Sequence, residues 1–307
     1  MTRLLFLISF LISCGMRPGI PHVIIDADTD NELDDVLAIS AAFQSGAMKI
    51  TGVTASQWEG GNMKPGGNKN PCKTEKTAYT SWLVNKIILQ LLRKENTPCL
   101  KGAEFPVIYG RGEKDNVPQK NPASDFIIKK AGELPDNEKI TLICLGSLTN
   151  IASAILSNPD IAKKIALYWV GTSYDFKSNT WGRVEFNAAN DQDALDVVLD
   201  ATELELHIMP NNVSGKLGFN IKESLARLEG KKGISAFIKE RWEAIIEGHQ
   251  WTSWTMWDLA LIYAVTDPQW AEEKVVLTPP ENNQREIYVY SNIRSKLMAE
   301  KFWADLK

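Results

Sequence analysis

Cysteine is scarce in this chain and badly spaced for metal binding. There are four in 307 residues with no Cys-x-x-Cys pair, so a structural zinc site is not encoded. Cationic residues are outnumbered, 34 Lys and Arg against 38 Asp and Glu, and the net charge of -4 argues against nucleic acid as a partner. No internal repeat is visible, which sets solenoid and propeller architectures aside. The leading apolar run, Leu4 to Ile12, is too short to serve as a stable bilayer-spanning anchor.

That run has a different use. It follows Met1-Thr2-Arg3 with its single positive charge, and it ends in Leu11-Ile12-Ser13-Cys14, which looks like a bacterial lipobox. Cleavage before Cys14 would leave a thiol for lipid attachment. The expected layout is a signal peptide over 1–13, a linker over 14–20 and one domain over 21–307. The protein is then exported and lipid-anchored to a bacterial membrane, periplasmic or on the outer face. A plain secretory signal peptide is the alternative. Of the other cysteines, Cys144 sits in an apolar segment and reads as a buried thiol. Cys72 and Cys99 lie in loop-like surroundings where an exported protein could pair them.

An apolar content of 44% supplies a sizeable core. Apolar runs at 23–27, 50–55, 141–145, 166–171 and 204–209 read as buried strands. Helical spacing covers 36–44, 77–93, 124–131, 150–156, 192–199 and 221–246. The alternation predicts an α/β fold, an open, mostly parallel twisted sheet with helices on both faces. Ligands of such sheets bind beyond the carboxyl ends of the strands. Two Gly- and Pro-containing stretches, 57–71 and 109–122, follow strand-like segments and are candidate lids or specificity loops.

The first strand runs into Asp28-Thr29-Asp30-Asn31-Glu32-Leu33-Asp34-Asp35. Four aspartates and a glutamate in eight residues repel one another, and a hard divalent cation, most simply Ca²⁺, would relieve them. The spacing of Leu33, Val36, Leu37 and Ala41 predicts a helix from about Asn31, with Asp34 and Asp35 in its first turn, where the helix dipole favours carboxylates. Capping explains one or two acids, not four. Asp26-Ala27-Asp28-Thr29 also invites comparison with the nucleophile strand of haloacid-dehalogenase-type phosphatases. There a Thr or Val stands two residues after the second Asp; here that position is Asp30, and the extra acids would repel a phosphate. Two further segments carry polar chemistry. One is Asn179 to Asn187, where amides and Glu185 suit a hydroxyl-rich ligand. The other is Trp257-Asp258 at the head of an apolar helix, with Trp251 and Trp254 close by.

Together these segments resemble the inosine–uridine-preferring nucleoside hydrolase family. Asp28, Asp30, Asp34 and Asp35 match its Asp-x-Asp-x-x-x-Asp-Asp signature. Gly146 to Ala152, then Glu185-Phe186-Asn187 with Asn179 upstream, then Asp258, match in order over roughly 21–270; Lys101-Gly102-Ala103 and Phe126-Ile127-Ile128 also look like family segments. The resemblance implies calcium-dependent hydrolysis of the N-glycosidic bond of a small-molecule ribonucleoside. It implies that Asp30, Asp35, Asp258 and the carbonyl of Leu145 hold Ca²⁺, with Asp28 in support. Asp30 would also take a proton from water activated by the ion. Asp34 and Asn187 would grip the ribose 2′- and 3′-hydroxyls, with Asn179 and Glu185 on the remaining hydroxyls. A homo-oligomer is expected by analogy. The chemistry is coherent, since an anionic pocket stabilises the oxocarbenium-like charge that forms as the bond breaks.

The chain departs from much of the family at Trp257, where many members place a histidine that acts as leaving-group acid. With three histidines in all, substitutes are few; His249 is one candidate. The purine-specific branch resembles this chain in having Trp there, so Trp257 favours a purine base, with Trp58, Trp254 or Tyr109 as a second wall. Arg183 replaces a residue that is usually small. Two other functions compete: a non-catalytic nucleoside- or sugar-binding lipoprotein, and a hydrolase of another N-ribosylated compound. An intact Asp30 speaks against the first.

Overall fold

A computed structural model describes residues 21–58, 76–109 and 116–306. The proposed leader with Cys14, Cys72, most of the first candidate lid and residues 110–115 of the second lie outside the described residues. Twelve strands follow the chain as β1 (His22–Ala27), β2 (Lys49–Ala55), β3 (Cys99–Lys101), β4 (Ile140–Cys144), β5 (Ile165–Val170), β6 (Ser173–Asp175), β7 (Thr180–Gly182), β8 (Glu205–Met209), β9 (Gly218–Asn220), β10 (Ser253–Thr255), β11 (Ala271–Leu277) and β12 (Glu286–Ile293). The α-helices are α1 (Asp34–Ser45), α2 (Thr77–Leu91), α3 (Pro122–Gly132), α4 (Thr149–Ser157), α5 (Phe186–Asn190), α6 (Gln192–Asp200), α7 (Asn211–Ser214), α8 (Ile221–Leu228), α9 (Ile234–Ile246), α10 (Trp257–Thr266) and α11 (Ser295–Asp305).

Eight strands form one sheet in the order β11-β12-β8-β5-β4-β1-β2-β3, parallel throughout except for β11, which pairs antiparallel with β12. The expected α/β architecture is the observed one. Alternation along each strand divides the core. Val23, Ile25 and Ala27 of β1 face a cluster built with α1, α9, α10 and α11, while Ile24 faces a second cluster with Ile127, Ile151 and Leu195 of α3, α4 and α6. Burial on both faces is why the central strands read as continuous apolar runs.

Two expectations need correction. The helix expected over 221–246 is two helices, broken where Gly230 and Gly233 take φ of 71° and 62°, backbone that glycine adopts without a Cβ penalty. The helix expected from about Asn31 starts at Asp34, because the Asn31 N–H closes a turn on the Asp28 carbonyl (2.8 Å) and the chain reverses before helix geometry begins. Cys144 is a fully buried thiol, as expected. Cys99 is half-buried and free, its sulfur 3.9 Å from the Trp82 carbonyl oxygen.

Candidate active site

Beyond the carboxyl ends of β1, β4, β5 and β8 lies a cavity of about 320 Å³. Asp28, Asn31 and Glu32 reach it from the turn after β1, and Leu145 from the end of β4. Val184, Glu185, Phe186 and Asn187 come from the segment entering α5, and Asn211 from the start of α7. Asp34 and Asp35 open α1, and Trp257 and Asp258 open α10, so two helix N-termini converge on one spot. Unpaired N–H groups at such ends favour anionic side chains. The Asp258 N–H donates to Asp34 Oδ2 at 3.3 Å, tying one helix start to the other.

The carboxylate oxygens of Asp34, Asp35 and Asp258 lie within 4.8 Å of one another, and all three residues are buried. Burial first, and mutual repulsion second, push Asp28, Asp35 and Asp258 well above the ordinary carboxylate range. Burial also lifts Asp34, to about 6, against the N–H groups that hold its charge. Asp28 Oδ2 and Asp35 Oδ1 are buried with no hydrogen-bond partner. Buried orphan oxygens facing a cluster of like charge are what a bound cation satisfies. The lining donors are all oxygen, from carboxylates, amides and the Leu145 carbonyl, a set that fits a hard divalent ion such as Ca²⁺.

The structure does not bring Asp30 into this set. Its carboxylate turns away toward α9, where Arg241 Nη1 lies 3.4 Å from Oδ1, and it does not line the cavity. Of the pair expected at Asp28 and Asp30, only Asp28 reaches the cavity; Asp26, two residues before it, is buried and accepts from Thr54 Oγ1 and from Asn150 Nδ2 (2.9 Å). Burial lifts Asp26 to about 6. Gly146 permits the arrangement, for a Cβ there would stand 2.7 Å from Asp28 Oδ1 and 2.4 Å from Ser56 Oγ.

Asn179 is likewise absent from the cavity. It is exposed in the β6–β7 turn at φ 54°, where its Oδ1 accepts from Tyr174 Oη at 3.3 Å. Glu185 does line the cavity, yet its Oε2 accepts from the N–H groups of Thr172 (2.9 Å) and Ala188 (3.1 Å), which caps α5. Burial raises its pKa. Asn187 Nδ2 donates to the carbonyls of Leu145 (2.7 Å) and Val170 (2.9 Å). Two carbonyl partners fix which amide end is nitrogen, so Oδ1 is left to accept from a ligand hydroxyl.

Trp257 lines the cavity, and its neighbour Asp258 is 4% exposed. The suggested second walls are elsewhere. Trp58 is 3% exposed with its backbone N–H on Thr77, the Tyr109 hydroxyl donates to Asp200, and Trp254 packs on Trp251 with ring centroids 4.9 Å apart. His249 is exposed and stacked on Trp251 at 3.9 Å, outside the cavity. Arg183 bonds Gln192, Asp196 and Glu281, so its role is to anchor its loop rather than to meet a ligand. Asn211 was not foreseen; its signal was its place two residues after the end of β8.

A family model described as inosine-uridine preferring nucleoside hydrolase matches residues 23–297. Among curated proteins, "Probable uridine nucleosidase 2" of Oryza sativa subsp. japonica is 24% identical over 68% of this chain and 62% of its own length. "Pyrimidine-specific ribonucleoside hydrolase RihA" of Enterobacter sp. (strain 638) is 26% identical over 58% of this chain and 56% of its own length. The chain thus spans about three fifths of the length of these relatives. The solved "Plant nucleoside hydrolase - PpNRh1 enzyme" shares the fold, with a TM-score of 0.68 and 18% identity over 94% of this chain and 99% of that one.

Proposed function

The chain belongs to the inosine–uridine preferring nucleoside hydrolase family, and from that membership and the geometry of the cavity we propose that it hydrolyses the N-glycosidic bond of ribonucleosides, releasing ribose and free base. One observation carries the reading: Asp28, Asp34, Asp35 and Asp258, drawn from chain segments more than two hundred residues apart, meet with orphaned oxygens beside Asn187 and Trp257.

Asp28, Asp35, Asp258 and the Leu145 carbonyl are the groups that would hold Ca²⁺, with Asp34 beside them. When bound there, the ion offsets the clustered charge and makes nearby water more acidic. Asp28, rather than Asp30, would accept the proton of the attacking water, a reading supported by Asp28 lining the cavity and Asp30 not. Asn187 Oδ1 and Asp34 accept from the ribose hydroxyls. The carboxylates stabilise positive charge as it develops on the sugar. Trp257 offers the base a stacking face, and no histidine among the described residues lines the cavity, which favours a purine that can be protonated from solvent. The uridine and pyrimidine names of the two curated relatives point the other way, so the base is decided by assay. The leader reading belongs to the same proposal: an exported protein acylated at Cys14, tested by palmitate labelling that Cys14→Ser abolishes.

Purified protein is incubated with inosine, guanosine and uridine, with and without chelator. We expect base release, faster from the purines, lost with chelator and restored by Ca²⁺. No release from any of the three would favour a sugar-binding protein without catalysis or a hydrolase of another N-ribosylated compound.

A further inference from the structure

A second concavity, of about 740 Å³, is distinct from the acidic one. It lies at the opposite, amino-terminal end of the sheet, beside the first residues of β1, β2 and β4. Lys49, Arg93, Lys94 and Lys130 line it, the first three exposed. Its single acid, Glu133, is engaged by Lys130 at 2.7 Å and Lys129 at 3.9 Å. Crossover helices account for part of this charge. α2 and α3 run back against the strands and end here, and a cation at each helix C-terminus complements its dipole. That does not account for Lys49, which opens a strand, nor for convergence on one concave surface in a protein of net charge -4.

The chain also enters the fold here. The Lys49 N–H donates to the Pro21 carbonyl at 3.0 Å, which fixes residue 21 against the basic rim. Seven residue steps separate Cys14 from Pro21, a reach of at most about 25 Å. No helix of the described residues is long and apolar enough to cross a membrane.

We infer that the amino-terminal end of the sheet is a docking surface for an anionic phospholipid bilayer, which holds the acidic cavity facing away from the membrane. Negative headgroups complement Lys49, Arg93 and Lys94 and repel the carboxylate-lined opposite end. The tether requires a lipid at Cys14; the charge complementarity does not.

The test uses the full chain carrying Cys14→Ser, so that no acyl chain contributes, and vesicles of phosphatidylcholine with or without phosphatidylglycerol. Binding to neutral vesicles reports whatever the apolar leader adds. We expect phosphatidylglycerol to tighten binding, and the gain to shrink as salt rises. Charge reversal by Lys49→Glu, Arg93→Glu and Lys94→Glu together should remove the gain, weakening binding by at least about tenfold. The control Lys222→Glu, Lys231→Glu and Lys232→Glu, on α8 and the turn after it, should keep the gain. Thermal melting and nucleoside hydrolysis of both variants establish that they fold. Equal binding to both vesicle types would overturn the inference. So would a gain that survives the Lys49, Arg93 and Lys94 reversal, which would trace it to Arg3 and Arg17, or one abolished by millimolar inorganic phosphate, which would indicate a site for a soluble anion. Loss of nucleoside hydrolysis in the unmodified chain would sink the proposed function and leave this inference standing.

Discussion

Arg241 holds Asp30 out of the cavity: its Nη1 stands 3.4 Å from Asp30 Oδ1, while its Nη2 bonds the carbonyls of Thr29, Asp30 and Glu32 at 3.2–3.3 Å. One guanidinium from α9 thereby fixes the turn that delivers Asp28. If Asp28 takes the proton, Asp28→Asn should lower kcat by roughly 10²–10⁴-fold. Asp30→Asn should cost less than about tenfold in kcat and under about 1 kcal/mol in stability, since it loosens only a partly exposed ion pair. Steady-state kinetics on the two variants decide between the residues, and equal losses would refute the assignment.

Asp258 tests convergence. Its carboxylate approaches Asp34 and Asp35 from a helix more than two hundred residues along the chain. Asp258→Asn should weaken Ca²⁺ binding measured by calorimetry by at least about tenfold, and Asn179→Ala should leave it unchanged.

Stability should respond to pH in a direction set by the raised carboxylates. Below the ordinary carboxylate range they are protonated in both the folded and unfolded chain, so their clustering costs nothing. As pH rises, the unfolded chain gives up its protons first, while the folded chain retains them; stability is therefore lost as pH climbs from about 4 through about 6, where Asp34 titrates, and beyond for Asp28, Asp35 and Asp258. Chelated protein should melt at least about 5 °C lower at pH 8 than at pH 5, and Ca²⁺ should raise the melting temperature more at pH 8. Scanning calorimetry at both pH values checks this, and a Ca²⁺ gain that is larger at pH 5 would contradict it.

Trp257 separates bases. Replacing an indole that stacks on the base should cost about tenfold in kcat/KM for inosine. Trp257→Leu should then reduce inosine hydrolysis more than uridine hydrolysis, and a uniform loss would remove the case for a purine.

The parallel core was legible because strands buried on both faces, such as Val23 to Ala27, leave continuous apolar runs. The edge hairpin β11–β12 escaped for the complementary reason: Ala271–Leu277 is largely exposed, and Glu272, Glu273 and Lys274 break any apolar run. Single-residue turns set the limits at the site. Nothing in Asp28-Thr29-Asp30 announces that the bond from Asn31 to the Asp28 carbonyl sends one carboxylate inward and the other toward Arg241. Asn179 failed similarly, since its side chain is placed by a tight hairpin turn. Asp35, Trp257 and Asp258 were singled out at the starts of apolar helices, and Leu145 and Asn187 through the family resemblance; all five line the cavity.

The acidic cavity has a consequence for metabolic order. Asp28, Glu32, Asp34, Asp35, Glu185 and Asp258 all line it, and no lysine, arginine or histidine among the described residues does. A sugar still carrying its 5′-phosphate would bring a dianion into that company with nothing cationic from those residues to receive it. Inosine 5′-monophosphate should accordingly be neither cleaved nor competitive with inosine. The protein would then wait on a phosphatase, and its supply of substrate would be set by how quickly nucleotides elsewhere lose their phosphates.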